Sequence, residues 1–308
     1  MQTIARGITY ADLMFLGKPR IIATAAIQSP GGVALVDPGP STCLGTLRAS
    51  LSDQGIGTAD VRAILLTHIH LDHAGATGTL VRENPDIQVY VHERGARHMA
   101  DPAKLLTSAT RLYGDDMDRL WGEFLPVPQD NIHALAGGER VSVADRDLDV
   151  AYTPGHASHH VSYFDRPSGV AFVGDTAGIR IGPDLFAMPP TPPPDIDIDV
   201  WKASAALIGD WQADTLFLTH FGPHGEPPAH LASLLEHLDG LAGLARAIVE
   251  EKRDATPAER VGSFVADIRR YLQRHLSDTT AALYDQAAPL DQCWLGLERY
   301  WKKQGAGA

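Results

Sequence analysis

The sequence of 308 residues contains only two cysteines, Cys43 and Cys293, which lie far apart in the chain. So few cysteines indicate a reducing compartment and give no disulfide framework. No apolar run approaches the roughly 20 residues that span a bilayer. The first seven residues lack the basic stretch and apolar run of a signal peptide. These absences predict a cytoplasmic protein that does not bind a membrane.

Positive charge is also scarce. The chain has 26 Lys and Arg residues against 38 Asp and Glu residues, for a net charge of -12. Proteins that follow a phosphate backbone need a basic surface, and no cluster of Lys and Arg stands out in this sequence. We therefore expect no nucleic-acid partner and predict a small-molecule ligand instead. The length is sufficient for one large core or for a core with an appendage.

The first ninety residues alternate strand-like and helix-like segments, which favours a layered α/β architecture. The predicted strands cover residues 21–27, 33–36, 61–66 and 87–91, and the predicted helices cover residues 41–54 and 72–83. Apolar residues at helical spacing then predict two helices inserted at about 93–125. Short strands follow at residues 140–143, 148–153, 160–164, 170–173 and 214–219.

The last part of the sequence is helical. Residues 183–199 are rich in proline and aspartate and predict a stiff loop. A leucine stripe follows Pro228, and Thr256 to Glu259 form a capping box for a second helix. We expect a catalytic domain at 1–227 and a helical extension at 228–308. The leucine stripe is either core or a dimer contact, so a homodimer is one outcome.

The most informative segment is residues 67–73, Thr-His-Ile-His-Leu-Asp-His. It follows an apolar strand and places His68, His70, Asp72 and His73 within six positions. Imidazole and carboxylate groups suit zinc, iron or manganese. Four such groups are too many for one catalytic ion that must keep an open position. We therefore predict two metal ions.

Three further candidate ligands stand where other apolar strands end. His156 follows the strand at 148–153, Asp175 follows the strand at 170–173, and His220 follows the last strand. Active sites of layered α/β proteins lie at strand ends, because loops converge there on a rigid sheet. We expect these three side chains to complete the site.

Taken together, these motifs resemble the metallo-β-lactamase superfamily over roughly residues 20–225. The segment from Val36 to Gly39, with Asp37, resembles its first motif. Thr67 to Gly75 looks like the form found in glyoxalase II and lactonase branches. The resemblance implies a four-layer αββα sandwich of two mixed sheets between outer helices. In this chain the sandwich would carry the insert and the C-terminal extension.

The resemblance also implies a role for each motif residue. The first metal ion would be held by His68, His70 and His156. The second would be held by Asp72, His73 and His220. Asp175 would bridge both ions, and Asp37 would orient a ligand by hydrogen bonding. Zinc is the first choice for the two divalent ions, with iron or manganese as alternatives.

Two such ions, about 3.5–4 Å apart, lower the pKa of a bridging water toward ~7 and make hydroxide available. This predicts hydrolysis of an ester-like bond, such as a thioester or lactone, with Asp72 and Asp175 as catalytic carboxylates. No Gly-x-Ser-x-Gly nucleophile motif occurs. The alternatives are a β-lactam or phosphodiester hydrolase, a mononuclear iron dioxygenase acting on sulfur, and a non-catalytic binding module. Gly178 stands where related lactonases carry tyrosine, which counts against close kinship with them.

Candidate substrate contacts are less constrained by the sequence. Tyr113 and Trp121 in the insert would either line a substrate pocket or only pack the insert onto the sandwich. Arg180, five residues after Asp175, is a candidate for an anionic substrate group, and His224 lies close to His220 in sequence. His159 and His160 are interpreted as residues that orient the loop of His156.

Overall fold

In the computed structural model, residues 1–305 are described, and their strands form two sheets. The strands of the first sheet lie side by side in chain order. They are β1 (Gln2–Ala5), β2 (Ile8–Asp12), β3 (Ala23–Ser29), β4 (Gly32–Val36), β5 (Val61–Leu65), β6 (Gln88–His92) and β7 (Ile132–Leu135). Pairing is antiparallel from β1 to β4 and parallel from β4 to β7. The first sheet is therefore mixed.

The second sheet is also mixed, because only β11 and β12 pair in parallel. Its spatial order runs from β13 back to β8. Its strands are β8 (Arg140–Val143), β9 (Arg146–Tyr152), β10 (Val161–Asp165), β11 (Val170–Phe172), β12 (Thr215–Leu218) and β13 (Gly222–His224).

The helices fall into an early and a late group. The early helices are α1 (Leu44–Ser52), α2 (Leu71–Ala74), α3 (Thr77–Glu83), α4 (Glu93–Ala100), α5 (Ala103–Tyr113) and α6 (Met117–Leu120). The late helices are α7 (Ile198–Asp210), α8 (Pro227–Glu251), α9 (Pro257–Gln273), α10 (Asp278–Ala287) and α11 (Leu290–Gly305). Within residues 1–305, no helix combines the length and apolar character needed to cross a membrane.

Side chains that alternate along each strand build three apolar layers. In β4, Leu35 packs outward against the early helices, whereas Ala34 and Val36 pack between the two sheets. In β12, Phe217 lies between the sheets, and Leu216 packs outward against α7 and α8. The order helix, sheet, sheet, helix confirms the predicted four-layer αββα sandwich.

Several element predictions were wrong or incomplete. The helix predicted at 72–83 is two helices, because the chain breaks after α2 and the amide of Ala76 donates to the carbonyl of Gly39. The insert contains three helices rather than two. The loop predicted at 183–199 ends earlier, because the side chain of Asp197 caps α7 by accepting from the amide of Val200. Strands β1, β2, β7 and β13 were missed.

The C-terminal helices share one core with the chain that follows the site. Leu238 and Leu241 of α8 are buried in a cluster with Ile179 and Trp201. Leu234, earlier in the same helix, packs on the second sheet. The leucine stripe is therefore core, as one of its two interpretations predicted. The domain division at 227/228 and a homodimer stay predictions.

Candidate metal centre

The loops that follow β5, β9, β11 and β12 converge at one edge of the sandwich. The loop after β5 carries His68 and His70, and the loop after β9 carries His156. Nδ1 of His70 lies 2.9 Å from Nε2 of His68 and 3.0 Å from Nε2 of His156. Three ring nitrogens from two loops thus meet at one point, as expected for the first metal position.

A second cluster lies beside the first. Nε2 of His220 is 3.2 Å from Oδ2 of Asp72, and Nε2 of His73 is 3.8 Å from the same oxygen. Asp175 stands between the clusters: its Oδ2 is 3.4 Å from Nε2 of His156, and its Oδ1 is 3.4 Å from Nε2 of His73. This is the position that the sequence prediction gave to a bridging carboxylate.

These residues fit a divalent metal. Nε2 of His73 and Oδ1 of Asp175 are buried and have no hydrogen-bond partner among the described residues. A buried polar atom left without a partner costs about 1–3 kcal/mol, so a cation between these atoms would relieve that cost. Three groups of donor atoms within 4.8 Å of one another supply imidazole nitrogens and carboxylate oxygens. Such mixed donors suit zinc, iron or manganese.

In the second cluster, the Nδ1 atom of each imidazole is held by a hydrogen bond on the side away from the other donor atoms. Nδ1 of His220 donates to the carbonyl of Ile21 at 2.7 Å, and Nδ1 of His73 donates to the Asp37 carboxylate at 2.8 Å. In the first cluster, Nδ1 of His156 donates to a backbone carbonyl in the same way. These bonds set the tautomer, so each Nε2 presents its lone pair to the centre.

Asp37 is the hub of this support. It follows β4 directly, is fully buried, and has a left-handed φ of 48°. Its Oδ1 accepts from the amide of Thr67 at 2.8 Å, and its Oδ2 accepts from the hydroxyls of Thr67 and Thr219, each at 2.7 Å. With the bond from His73, this carboxylate connects the end of β4 to the loops that follow β5 and β12. The contact to a ligand that the resemblance implied is present.

The electrostatics of the two clusters differ. Burial lowers the pKa of His68, and the neighbouring imidazoles lower it further, to well below its ordinary value. Burial also acts to lower the pKa of His73, but the carboxylates of Asp175, Asp72 and Asp37 raise it well above its ordinary value. The first cluster therefore offers neutral imidazole donors, and the second concentrates negative charge that a cation would balance.

Helix α7, which the sequence prediction missed, positions the loops of His156 and Asp175. Nε1 of Trp201 donates to the carbonyl of Thr176 at 2.7 Å, and its ring packs edge-on against His156 at 5.6 Å. Gly155 has φ of 130°, and a Cβ there would lie 2.3 Å from Cα of Trp201. Only glycine permits this close approach. The capping residue of α7 was the sequence signal that could have revealed the helix.

The two histidines after His156 are not in any of the three donor groups. Nδ1 of His160 lies 3.0 Å from the hydroxyl of Thr153 and 3.1 Å from the hydroxyl of Thr176. This agrees with the interpretation that His160 orients the loop. His159 lines the cavity described next.

A cavity of about 910 Å³ opens onto the metal-ligand candidates. His70, Asp72 and Asp175 line its floor, and Tyr113 and Trp121 belong to its wall, as one of the two interpretations predicted. The sequence prediction missed three other parts of the lining: the segment of Phe15, the prolines at 190–194, and residues within 286–293, where α10 ends and α11 begins. The C-terminal extension therefore helps to enclose the site.

Arg180 and His224 do not line this cavity. Nε of Arg180 donates to the carbonyl of Asp184 at 2.9 Å, and Nε2 of His224 lies 3.2 Å from the carbonyls of Arg180 and Phe221. Both side chains thus contact backbone carbonyls, and their contact with substrate stays a prediction.

Comparison with known proteins gives a consistent result. The profile of a family described as "Metallo-beta-lactamase superfamily" matches residues 17–220. A "Probable metallo-hydrolase YqgX" of Bacillus subtilis (strain 168) is 34% identical over 113 residues, which cover 37% of this chain and 48% of that protein. A "Hydroxyacylglutathione hydrolase" of Legionella pneumophila (strain Lens) is 29% identical over 146 residues, which cover 47% of this chain and 43% of that protein. The chain thus spans about half the length of the curated relatives it matches.

Solved structures share the fold. The metallo-beta-lactamase family protein TTHA1429 from Thermus thermophilus aligns with a TM-score of 0.70 at 23% identity, covering 99% of this chain and 96% of that one. The archaeal metallo-beta-lactamase superfamily protein ST1585 from Sulfolobus tokodaii aligns with a TM-score of 0.61 at 24% identity. The alignment covers 76% of this chain and 86% of that one. The first alignment extends through the C-terminal helices.

Proposed function

Because the chain belongs to the metallo-beta-lactamase superfamily, we propose that it is a dinuclear metal-dependent hydrolase of an ester-like bond, such as a thioester or lactone, in a small molecule. The observation that carries this proposal is the set of seven donor residues, five of which line the cavity. Zinc is the first choice of metal, with iron or manganese as alternatives. We also expect the protein to act in the cytoplasm.

The residues of the site have two roles: they would bind the metal ions, and they would accept the proton released from water. When bound, the ions would polarise the scissile carbonyl and lower the pKa of a coordinated water toward ~7. The water oxygen joins the carbonyl carbon, the C–O or C–S bond breaks, and an acid and an alcohol or thiol leave. Both carboxylates line the cavity, but the side chain of Asp72 is 21% exposed against 5% for Asp175. It is the better placed of the two to take the proton.

Metal analysis and a substrate panel test this function. The protein as purified is analysed for zinc, iron and manganese, then loaded with each metal and assayed with thioesters, lactones, β-lactams and phosphodiesters. Two equivalents of metal and cleavage of a thioester or lactone would support the proposal. One iron per chain with oxygen uptake on a sulfur substrate would favour the dioxygenase alternative. Failure to cleave any ester-like bond would contradict the function.

Removal of metal should lower thermal stability. The cation would neutralise the carboxylates of the second cluster and give partners to His73 Nε2 and Asp175 Oδ1. A ligand present at 100 times its Kd stabilises by about 2.7 kcal/mol. At ~2–4 °C per kcal/mol for a chain of this size, chelation should lower Tm by about 5–10 °C, and added zinc should restore it. An unchanged Tm in protein shown to be free of metal would count against a structural metal centre.

The aromatic wall of the cavity offers a polar contact to substrate. Phe15 stacks on Trp121 at 5.5 Å with 14° between planes, and Tyr113 packs edge-on against the other side at 5.1 Å. Nε1 of Trp121 is buried and has no partner within the described chain. We infer that substrate binding moves the side chains that cover this N–H, which then donates to a carbonyl or ether oxygen of the substrate.

Trp121→Phe should therefore raise KM by about three- to tenfold with little change in kcat, because one hydrogen bond contributes about 0.5–1.5 kcal/mol. Phenylalanine keeps the stacking with Phe15 and removes only the donor. Trp211→Phe is the matched control, since Trp211 stacks on Phe164 away from the cavity. Equal KM in both variants and in the wild type would exclude the contact.

A further inference from the structure

We propose that Arg94, Arg97 and Lys104 form a subsite for an anionic group of the substrate, a carboxylate or a phosphate, beside the reacting bond. This inference rests on the proposed function, because it concerns the substrate of the same cavity. All three side chains line the cavity that also contains the metal-ligand candidates. They would select esters and thioesters that carry negative charge.

The three cations are available to a ligand. Within residues 1–305, none of them has a carboxylate oxygen within 4.0 Å, whereas Arg119, the other Lys or Arg of the lining, is paired with Asp116. Two other acidic residues of the lining, apart from the metal-ligand candidates, are Asp195 and Asp291. The Asp195 carboxylate accepts from the hydroxyl of Ser158 rather than from an arginine. The lining contains four Lys or Arg and five Asp residues, so these three cations form a local unpaired cluster within a cavity of mixed charge.

Helix α4, which carries Arg94 and Arg97, packs against the metal-ligand loop, and Lys104 follows in α5. Gly95 lies against Ile69, and a Cβ at Gly95 would be 2.9 Å from Cγ2 of Ile69. Ile69 stands between the two histidines that open the first cluster. Arg94 and Arg97 are three residues apart on the helix and so lie on neighbouring parts of its surface. All three residues are exposed, so the subsite lies at the open rim of the cavity, next to the helix that packs against the metal-ligand loop.

The chemistry of the three groups defines the ligand. The Arg94 guanidinium lies 5.7 Å from the ring of Tyr152, and Nε of Arg97 donates to Nε2 of His98 at 3.2 Å. The terminal nitrogens of Arg97 remain for an anion, and a guanidinium binds carboxylate or phosphate through two parallel bonds. The positive charges also act on His98. Burial lowers the pKa of His98, and the charges of Arg97 and Lys104 lower it further. A local cluster of unpaired cations attracts a negatively charged group of the substrate.

The test compares a neutral and an anionic ester with the same leaving group, 4-nitrophenyl butyrate and mono-4-nitrophenyl succinate. The variant carries Arg94→Gln, Arg97→Gln and Lys104→Gln. The control carries Arg253→Gln, Arg274→Gln and Lys303→Gln, three exposed cations that do not line the cavity. In metal-loaded wild type and control, we expect KM to be at least about tenfold lower for the anionic ester. The variant should lose this preference and keep its KM for the neutral ester. Salt at 1 M should abolish the preference in wild type, because it screens charges beyond ~3 Å.

Two outcomes separate this inference from the proposed function. If the wild type cleaves both esters and the variant keeps the preference, the subsite is wrong and the hydrolase stands. If the wild type cleaves neither ester, the subsite is measured directly by calorimetric titration of the metal-loaded proteins with succinate and with inorganic phosphate. Binding about tenfold weaker in the variant would support the subsite, and the tighter of the two ligands would identify its anion. Equal binding in wild type and variant would overturn it.

Discussion

Asp72→Asn should lower kcat by about three orders of magnitude and change the free energy of unfolding of the metal-free protein by less than about 1 kcal/mol. Asp72 is the more exposed of the two carboxylates at the centre, and its Oδ2 lies 3.2 Å from Nε2 of His220. Asparagine keeps the volume but loses the charge that would help to hold the second metal and to accept a proton. Several kcal/mol of transition-state stabilisation depend on such a group, and each 1.36 kcal/mol is a factor of ten in rate. The measurement is kcat with the best substrate of the panel, alongside denaturant unfolding.

Asp210→Asn provides the control, because Asp210 is an exposed carboxylate at the end of α7 and lies outside the cavity lining. It should keep wild-type kcat. Metal content must accompany both assays. If D72N has lost the second metal ion, the low kcat results from the loss of a metal ligand. If D72N keeps its full metal content and kcat is still low, the defect lies in proton transfer. Wild-type turnover in D72N would remove Asp72 from the mechanism altogether.

The centre itself could be predicted from the sequence, because its residues are local consequences of strand ends. Each group of donors follows an apolar run closely, as His68 follows β5 and His220 follows β12. Strand ends in one layered sandwich meet at one edge whatever the details of the connecting loops. The position of Asp175 between the two clusters followed from the motif order in the resemblance.

The wall of the cavity could not be predicted, because it is made by long-range packing. Phe15 reaches Trp121 across more than a hundred residues, and residues 286–293 line the cavity from a C-terminal junction. Neither segment has a periodic pattern or a motif that indicates a partner. Closeness to Asp175 in sequence did not place Arg180 in the lining either, because its guanidinium donates to the carbonyl of Asp184.

Prediction of the fold failed where a local signal was weak. Strands β1 and β2 are short and partly exposed, so their apolar alternation is faint. Helix α7 begins directly after a proline-rich loop, and only the capping bond of Asp197 marks its start. The same helix supports His156 through Trp201. Because α7 was not predicted, the contact of Trp201 with His156 was not predicted either, although His156 itself had been identified as a candidate ligand.

Asp37→Asn should weaken metal binding by about 10–100-fold and also destabilise the fold, although Asp37 lies outside the set of metal ligands. Loss of a group that orients a metal ligand typically has an effect of that size on affinity. Asparagine readily adopts the left-handed φ of 48° found here, so the backbone is not the cause. The side-chain amide nitrogen of asparagine is itself a hydrogen-bond donor. It would replace one of the two carboxylate oxygens, and each of these oxygens now accepts hydrogen bonds. The Oδ1 position receives the amide of Thr67, and the Oδ2 position receives three donors, including Nδ1 of His73.

Destabilisation from breaking this buried network should be about 3–5 kcal/mol for Asp37→Ala and smaller for Asp37→Asn, which keeps one acceptor. The control is Asp165→Asn. Asp165 is equally buried and accepts from Arg146, far from the metal-ligand loops. Both Asn variants should unfold at lower denaturant concentration, but only the change at Asp37 should lower metal affinity, measured by competition with a chromogenic chelator. If Asp165→Asn lost metal equally, general loosening would explain the result. If Asp37→Asn bound metal normally, the bond from His73 would serve only the fold.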